Sequence, residues 1–503
     1  MTDVTEKDIR VRFPPSPTGF LHIGGLRTAL YNYLFARRHQ GTFILRIEDT
    51  DRARFVEGGA ENIIRSLERT GLTYDEGPFL HDGEIVERGN SGPYIQSKRL
   101  DIYAKHAELL VENGMAYLCD CTSERLEEVR AGQQSAKLPT GYDRHCKERT
   151  DVDPAKPHVV RFAMPRVGES VFTDIIRGEV RFRNDLMDDF VMMKTDGYPT
   201  YHLASVVDDH FMKISHVIRG EEWISSMPKH LALYAAFGWE LPEFAHLPLL
   251  LNPDRSKLSK RQGDVAAEDF LDQGYLPEAL VNFVALLGWN PDAEQEIYDI
   301  KELVDGFDLS KVNAAGAVFN REKLDWMNGK YLRHLTPADF AEKSAPFLEA
   351  AHLLIREGEG WAVSETGEHL SLEELGRALA PEQDRVKTLA ELPEAVAFMF
   401  REELDYPAAM LVWKKSDASE TAARIDGLLK EIGVIPEDAW NEKDLEDRLI
   451  AWIASQGWGN GDTLWPLRVA LTGREKSPGP FELMAILGKM KVIARLEVAQ
   501  KRL

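Results

Sequence analysis

Several features that define other classes of protein are scarce or missing in this sequence. Its 503 residues include only three cysteines, too few for a disulfide framework and suited to a reducing compartment. No apolar run approaches the roughly 20 residues that a membrane helix needs, and the charged start lacks the apolar core of a secretory signal. There is no internal repeat and no low-complexity tract. We expect a cytoplasmic protein that does not bind membranes.

Positive charge is also scarce relative to negative charge. The chain has 61 Lys and Arg against 83 Asp and Glu, for a net charge of −22. A uniformly acidic surface repels a polyanion, so a nucleic-acid partner would have to meet clustered cations. The clusters available are Lys257, Lys260 and Arg261; Lys323, Lys330 and Arg333; and Lys489, Lys491, Arg495, Lys501 and Arg502. The last set could equally be a solvated helix face.

The two commonest phosphate-binding patterns, GxxxxGK[ST] and GxGxxG, do not occur near the first predicted strand. What occurs there is an alternating apolar run over residues 9–13, a turn that contains Gly24 and Gly25, and a helical apolar period from Leu26. The free N–H groups and the dipole at a helix start attract an anion, and glycine lets the backbone come close to it. This segment therefore predicts a nucleotide phosphate site.

A second segment, Lys257-Leu258-Ser259-Lys260-Arg261, has two lysines three apart in a predicted loop. Mobile ammonium groups there could neutralise the charge that builds up on a triphosphate under attack. Taken alone, the first segment could be an ordinary strand–helix connection and the second a solvated loop. Together they predict chemistry at the α-phosphate of ATP.

The pairing of His22-Ile23-Gly24-Gly25 with Lys257-Leu258-Ser259-Lys260-Arg261 resembles the two ATP motifs of class I aminoacyl-tRNA synthetases. Four further segments are similar to glutamyl-tRNA synthetases of the bacterial type: Pro15–Gly25, Arg46–Arg52, Asp196–Ala204 and Trp326–Tyr331. The resemblance is dense to about residue 333 and looser to the end. It implies ATP-dependent ligation of L-glutamate to the 3′ end of glutamate tRNA through a glutamyl-adenylate, with Mg²⁺ accompanying ATP, and we expect a monomer.

The expected fold is α/β: a Rossmann-like doubly wound catalytic domain with an α+β insertion, followed by an all-helical C-terminal half that binds the anticodon. Alternating strand and helix patterns place the two halves of the catalytic domain at 1–118 and 196–262. The predicted insertion, 119–195, would grip the tRNA acceptor end. Residues 263–334 would form a connective fold along the tRNA stem, and 335–503 the helical anticodon-binding domains. Asn441 could cap a helix there that carries Leu445, Leu449 and Ile453.

The resemblance assigns the ATP site residue by residue. The candidates are His22, Lys257 and Lys260 for catalysis, and His22, Gly24, Glu222, Leu250 and Lys260 for nucleotide binding. Gly25 stands where many class I enzymes have a second histidine, so Lys260 should matter more in this chain. Judged without the family, His22 could instead cap a helix or lie in the core, and Leu250 could be an ordinary strand residue.

The glutamate site implied by the resemblance consists of Arg12, Pro14, Ser16, Glu48, Tyr201, Ser205 and Arg219. An arginine fork matches a carboxylate in two parallel hydrogen bonds, and an acidic group is needed for the ammonium. A buried arginine also favours glutamate over glutamine, whose amide would leave the charge poorly compensated. Arg12 could otherwise be an exposed strand-edge residue, and Glu48 could pair with Arg46 or Arg52. Ser205 stands where some relatives have a longer amide.

All three cysteines, Cys119, Cys121 and Cys146, fall within the predicted insertion. Their spacing resembles the zinc knuckle of some family members, and tetrahedral zinc needs four ligands. Where relatives have a histidine two residues after the last cysteine, this chain has Glu148. His145 or Glu148 could be the fourth ligand, or the cysteines could be small apolar residues without a metal.

Two other functions are open from the sequence. One is the truncated paralogue that glutamylates a modified tRNA base, which lacks the C-terminal half that residues 335–503 provide. The other is a catalytically silent RNA-binding relative, against which the retention of His22, Lys260, Arg12 and Arg219 argues. In the C-terminal half, Arg385 lies near the place where an arginine helps to reject the wrong third anticodon base in the family, although it could also be an ordinary exposed helix residue.

Overall fold

The chain forms two compact units. The structure, a computed structural model, describes residues 8–258, 266–292, 294–414 and 416–503. Unit 1 contains the chain up to Leu271 together with Pro277–Leu324, and unit 2 contains Asp272–Leu276 and Asp325–Leu503. The division at Leu324 precedes the boundary at 334 that the sequence pattern suggests.

Unit 1 begins with parallel strands joined by a helix. Its first elements are β1 Arg10–Phe13, α1 Ile23–Arg38, β2 Thr42–Leu45, α2 Gly59–Arg69, β3 Gly77–His81, β4 Glu84–Arg88 and α3 Leu100–Glu112. Strands β1 and β2 pair in parallel from Arg10↔Thr42 to Phe13↔Leu45. Helix α1 begins at Ile23, before the apolar period that starts at Leu26, because the side chain of His22 caps it.

The stretch that the sequence predicts as an insertion is rich in strands. It contains β5 Ala116–Cys119, α4 Ser123–Ser135, β6 Val159–Phe162, β7 Glu169–Asp174, β8 Gly178–Arg183 and β9 Val191–Met193. Strands β5, β6 and β9 form an antiparallel sheet. Strands β7 and β8 form a hairpin, because Gly178 with a φ of +72° lets the chain reverse.

The chain then returns to parallel pairing. The remaining elements of unit 1 are α5 Tyr201–Phe211, β10 His216–Gly220, α6 Met227–Phe237, β11 Glu243–Leu247, β12 Leu250–Leu251, α7 Ala267–Asp272, α8 Pro277–Ala285, α9 Ile300–Gly306 and β13 Ala317–Val318, with α10 Arg321–His334 crossing into unit 2. Strand β10 pairs in parallel with β11, and Phe244 of β11 pairs with Asp174 of β7. Strands β11 and β12 are separated at Pro248, which has no N–H to donate to a neighbouring strand.

Strands from the first and later parts of unit 1 pack together in one buried apolar cluster. The N–H of Ser215, just before β10, donates to the carbonyl oxygen of Arg10 at 2.9 Å, so β10 starts beside β1. Ile44 of β2, Phe172 of β7 and Val217 of β10 belong to one buried apolar cluster. The carboxyl ends of β1 and β10 therefore lie at the same edge, which is where doubly wound sheets bind ligands.

Unit 2 is mainly helical, as predicted, with one exception. Its helices are α11 Pro337–Ala350, α12 Leu372–Gln383, α13 Leu392–Phe400, α14 Ala418–Gly433, α15 Glu442–Ser455, α16 Asn460–Thr472, α17 Pro480–Leu487 and α18 Lys489–Arg502. Asn441 caps α15 by accepting from the N–H of Asp444, and Leu445, Leu449 and Ile453 are buried, as predicted. The exception is an antiparallel sheet of β14 Leu354–Glu357, β15 Gly360–Val363 and β16 His369–Leu370.

The C-terminal basic run is used inside unit 2. Lys489 donates to the carbonyls of Gly433 and Ile435, and Lys491 donates to that of Met399. Arg495, only 4% exposed, donates to the carbonyls of Leu471, Phe398 and Arg401, and Arg502 to those of Tyr406 and Leu404. Several of these carbonyls end α13, α14 and α16, where a cation offsets the helix dipole. These four side chains are therefore structural, whereas Lys501 is exposed.

Candidate active site

A cavity of about 550 Å³ opens in unit 1 where the turn after β1, the end of β10 and the segment around β12 meet. Twelve of the residues that the sequence singles out line it: Pro14, Pro15, Ser16, His22, Gly24, Gly25, Glu48, Tyr201, Arg219, Glu222, Leu250 and Lys257. The amino end of α1 also faces it, because Ile23 to Gly25 are part of the lining. The cavity thus contains both a helix start, which attracts anions, and charged side chains from distant parts of the chain.

His22 has a structural role within this cavity. It is the residue before the first turn of α1, and its Nδ1 accepts the N–H of Gly25 at 3.0 Å. A neutral His22 therefore has its proton on Nε2, the nitrogen that can donate. A Cβ at Gly24 would lie 3.0 Å from the imidazole, so glycine at this position leaves room for the ring. The helix-capping alternative is confirmed, and the ring remains at the cavity wall.

Lys257 reaches the same cavity from the second motif. Its segment pairs with β12 through the bridge Leu251↔Lys257 and the 2.9 Å bond from the N–H of Leu258 to the carbonyl of Leu250. Lys257 is exposed at the cavity wall. Lys260, the candidate for phosphate contact, lies outside the described residues. The turn at 15–25 and the start of the loop at 257 thus share one cavity.

Arg219 is a buried cation in the cavity lining. It is 3% exposed, and its Nη1 donates to the hydroxyl of Tyr201 at 2.6 Å. The ring of Tyr201 contacts that of Trp223, with centroids 4.3 Å apart, and both rings line the cavity. Trp223, which the sequence did not suggest, lies in the short turn after β10.

Arg12 and Ser205 lie behind this lining. Arg12 is fully buried, and its Nε and Nη2 donate to the two oxygens of Asp209 at 2.9 and 3.1 Å. Within the described chain, the Nη1 of Arg12 and the Oγ of Ser205 are buried without a hydrogen-bond partner. Tyr201, Ser205 and Asp209 are each four apart on α5 and so share one face, next to Arg12. The edge-strand interpretation of Arg12 is wrong, since the residue is inside the unit.

Glu48 combines the two roles that the sequence suggests for it. Arg46 donates to its Oε1 from Nη2 at 2.9 Å, while the same carboxyl group lines the cavity. Arg46 is itself held by Asp209 at 2.8 Å. Burial raises the pKa of Glu48 to about 7, and the charge of Arg46 only partly opposes this effect. Glu48 is therefore a carboxyl group that changes its charge near neutral pH.

The three cysteines form a second candidate site, away from the cavity lining. Their sulfur atoms all lie within 4.8 Å of one another. The hydroxyl of Tyr142 lies among them, 3.3 Å from the Sγ of Cys119 and 3.5 Å from that of Cys121, and it accepts the N–H of Cys146 at 3.0 Å. The side chain of Glu148 is 90% exposed beside Lys147. The hydroxyl of Tyr142, and not the side chain of Glu148, therefore lies beside the three sulfur atoms.

Comparison with known families and proteins gives one consistent result. Residues 8–326 match the catalytic domain of "tRNA synthetases class I (E and Q)", and residues 339–500 match an "Anticodon binding domain". A glutamate–tRNA ligase from Dehalococcoides mccartyi is 44% identical over 496 residues, which are 99% of this chain and 98% of that protein. One from Moorella thermoacetica is 41% identical over 98% of both chains.

The fold is also found among solved structures. A glutamate tRNA ligase from Elizabethkingia meningosepticum, crystallised in complex with its amino acid, matches with a TM-score of 0.85 and 35% identity, over 99% of each chain. Among the residues that the structure describes, no helix is long and apolar enough to cross a membrane.

Proposed function

The chain belongs to the class I tRNA synthetases for glutamate and glutamine, and from this premise we propose that it ligates L-glutamate to glutamate tRNA in two ATP-dependent steps. The observation that carries the proposal is the single cavity, in which an anion-binding helix start, Lys257 and the buried Arg219 meet. Full-length relatives named glutamate–tRNA ligase support the same substrates.

In the first step, an oxygen of the glutamate α-carboxylate forms a bond to the α-phosphorus of ATP, and the bond from that phosphorus to pyrophosphate breaks. We propose that ATP enters with Mg²⁺ and that its phosphates face the start of α1, with Nε2–H of His22 as a donor. Lys257 offsets the negative charge of the departing pyrophosphate, together with Lys260. Gly24, Glu222 and Leu250 contact the nucleoside. The side chains position the reactants and stabilise charge without forming covalent bonds.

We propose that polar and charged side chains in the cavity lining and directly behind it recognise glutamate. Arg219 and the hydroxyl of Tyr201 face the cavity, while Arg12 has one donor atom and Ser205 one hydroxyl without a partner. Unpaired buried donors are costly, and a carboxylate that accepts from them removes that cost. Glu48, with Pro14 and Ser16 beside it, takes the ammonium group. An amide would leave the guanidinium charge unmatched, so the site favours glutamate over glutamine.

In the second step, the terminal ribose hydroxyl of the tRNA attacks the acyl carbon, and AMP leaves. We assign residues 119–195 to the acceptor end, 263–334 to the stem and 335–503 to the anticodon, with Arg385 at the third anticodon base. The match of residues 339–500 to an anticodon-binding domain supports the last assignment. The same residues argue against the truncated paralogue, and the assembled cavity argues against a silent relative.

A structural zinc ion fits the cysteine cluster. Three thiolates and the oxygen of Tyr142 make four donors around one point, which suits tetrahedral coordination. Arg125 donates to the sulfur of Cys121 and Arg149 to that of Cys146, and both cations offset the negative charge of bound thiolates. The ion would fix β5 to the segment around Tyr142. We further propose that the protein is cytoplasmic, since none of its three cysteines forms a disulfide. We also propose that it acts as a monomer.

The proposal is tested by ATP–pyrophosphate exchange with glutamate, with and without tRNA, and by charging of purified glutamate and glutamine tRNAs. We expect glutamate-dependent exchange and charging of glutamate tRNA. Charging of both tRNAs would show a broader tRNA range. Exchange without stable charging of either tRNA would favour the modified-base paralogue, and neither activity would indicate the silent relative.

A further inference from the structure

We propose that Asp174 and His246 are positioning residues that orient Arg219 for glutamate, so that the β7–β8 hairpin helps to build the amino-acid site. This inference rests on the proposed function, because it assigns Arg219 to a carboxylate of glutamate. Asp174 ends β7, His246 is in β11 and Arg219 is in β10. All three are almost completely buried, with exposures of 2%, 0% and 3%.

The two oxygens of Asp174 face different groups, although the N–H of His246 is near both, at 3.4 Å from Oδ1 and 3.1 Å from Oδ2. Oδ1 accepts the N–H groups of Ile176 and Arg177, each at 3.0 Å, and so closes the turn of the hairpin. Oδ2 lies 2.7 Å from Nδ1 of His246 and 3.1 Å from the N–H of the same residue. The carboxylate therefore joins the hairpin turn to the histidine ring.

This arrangement fixes the tautomer of His246. A carboxylate accepts, so Nδ1 of the ring must carry the proton. The Nε of Arg219 donates to Nε2 of the same ring at 3.1 Å, and a guanidinium can only donate. Nε2 must therefore be the acceptor. Burial and the charge of Arg219 both lower the pKa of His246, which agrees with a neutral ring, although Asp174 acts in the opposite direction.

The orientation of Arg219 follows from its bond to His246. The guanidinium is planar, so a bond that holds Nε directs the other two nitrogens as well. Nη1 meets the hydroxyl of Tyr201 at 2.6 Å, and Nη2 lies 3.0 Å from the sulfur of Met227. Among the residues that the structure describes, no carboxylate pairs with Arg219. A neutral ring holds the cation in place and leaves its charge for the substrate.

The substitution Asp174→Asn tests this inference with little change of shape. Its Oδ1 can still accept from the hairpin turn, but its Nδ2 donates to Nδ1 of His246 and moves the ring proton to Nε2. The N–H at Nε2 of His246 and the N–H at Nε of Arg219 then face each other, and neither can accept. The same tautomer change occurs in a catalytic triad whose aspartate is replaced by asparagine. With tRNA saturating, we expect the glutamate KM in exchange to rise by about 10-fold or more, with the ATP KM changed by less than about twofold.

A second pair of variants separates orientation from packing. His246→Gln keeps one donor for Asp174 and one acceptor for Arg219, whereas His246→Leu fills the space without either. We expect His246→Gln to restore a glutamate KM within about threefold of wild type and His246→Leu to match Asp174→Asn. Asp185→Asn is the control. Asp185 is an exposed acid that follows the same hairpin and pairs with Arg183, and its substitution should leave the glutamate KM and the ATP KM unchanged.

The outcomes distinguish this inference from the proposed function. If the wild-type protein does not activate glutamate, the proposed function fails. If wild type is active but Asp174→Asn leaves the glutamate KM unchanged, the positioning role is wrong. An equal loss of glutamate and ATP binding, or equal behaviour of His246→Gln and His246→Leu, would also contradict it, because either shows a role in folding alone.

Discussion

At the scale of single residues, the two buried arginines of the proposed amino-acid site are held in different ways. Arg12 is fixed by the carboxylate of Asp209 through two nitrogens and keeps one donor atom without a partner. Arg219 is fixed by neutral groups, the ring of His246 and the hydroxyl of Tyr201. Because Asp209 also pairs with Arg46, the charge of Arg12 is only partly neutralised. Both cations can therefore attract an acidic substrate.

Arg12→Lys tests the unpaired donor of Arg12. Lysine keeps the charge beside Asp209 but loses the planar fork, so a carboxylate that needs Nη1 binds less well. We expect the glutamate KM to rise by about 10-fold or more and the ATP KM to change by less than about twofold. Exchange kinetics measure both constants. Arg10→Lys, on the same strand but paired with Glu76, is the matched control. Equal losses for both substrates would refute the assignment.

Glu48 predicts how glutamate binding depends on pH. Burial raises its pKa to about 7, so the group is protonated below that pH and ionised above it. Only the ionised form pairs with an ammonium, and the glutamate KM should therefore fall as pH rises through about 7. Glu48→Gln should have a higher KM that lacks this step. A wild-type KM that rises over the same range would contradict the role of Glu48.

The sequence identified the residues that line the cavity better than the residues that hold those side chains in place. Motif resemblance was sufficient to select His22, Glu48, Tyr201 and Arg219, all of which line the cavity. It could not select Asp174 and His246, which are 72 residues apart and meet only because β7 pairs with β11. Tyr142 had a weak signal, its place four residues before Cys146, but only the fold shows its hydroxyl among the sulfur atoms.

At the scale of secondary-structure elements, α18 stabilises unit 2 through its basic side chains. Arg495 donates to three carbonyls, two of them near the ends of α13 and α16. Its burial lowers the pKa to about 10, yet the group stays charged at neutral pH. The arrangement explains why a basic run at the end of an acidic chain need not bind RNA.

Arg495→Met should therefore destabilise unit 2. The change leaves buried carbonyls without donors, and we expect a loss of about 2–4 kcal/mol in the free energy of unfolding. Chemical denaturation followed by tryptophan fluorescence reports on this unit, since most of the tryptophans belong to it. Lys501→Met, at an exposed position of the same helix, should have almost no effect. Similar losses for both variants would contradict the capping role.

The cysteine cluster predicts a zinc ion that depends on Tyr142. Protein purified without added zinc should contain about one ion per chain. Tyr142→Phe should weaken binding by about 10–100-fold, as loss of a supporting group does in other zinc sites. His145→Ala should retain the metal, because that exposed side chain is not in the cluster. Metal analysis after competition with a chelator measures both. A metal-free wild type, or loss of zinc in His145→Ala alone, would refute the site.

Elements with a strong local signal were predictable, and those set by tertiary pairing were not. The apolar period of α1 and the cap of α15 identified those helices. The β14–β15 hairpin in unit 2 was missed because a helical period dominates the residues around it. Its signal was Gly358, whose φ of +60° allows the tight turn between the two strands.

At the scale of the whole molecule, the net charge of −22 and a polyanionic partner are compatible if cations are concentrated at specific sites. Most of the C-terminal run does not supply such a site, since Lys489, Lys491 and Arg495 bind carbonyls of unit 2. Lys257 remains exposed at the cavity, where we propose that it offsets phosphate charge. The chain matches a synthetase catalytic domain over residues 8–326 and an anticodon-binding domain over residues 339–500.

The most direct test is a crystal structure of the protein with a non-hydrolysable sulfamate analogue of glutamyl-adenylate. The account predicts the analogue in the cavity of unit 1, with its adenosine beside Gly24 and Leu250. Its carboxylate should face Tyr201, Arg219 and the Nη1 of Arg12, and its ammonium should face Glu48. An analogue bound elsewhere, or bound here with its carboxylate turned away from both arginines, would contradict the account.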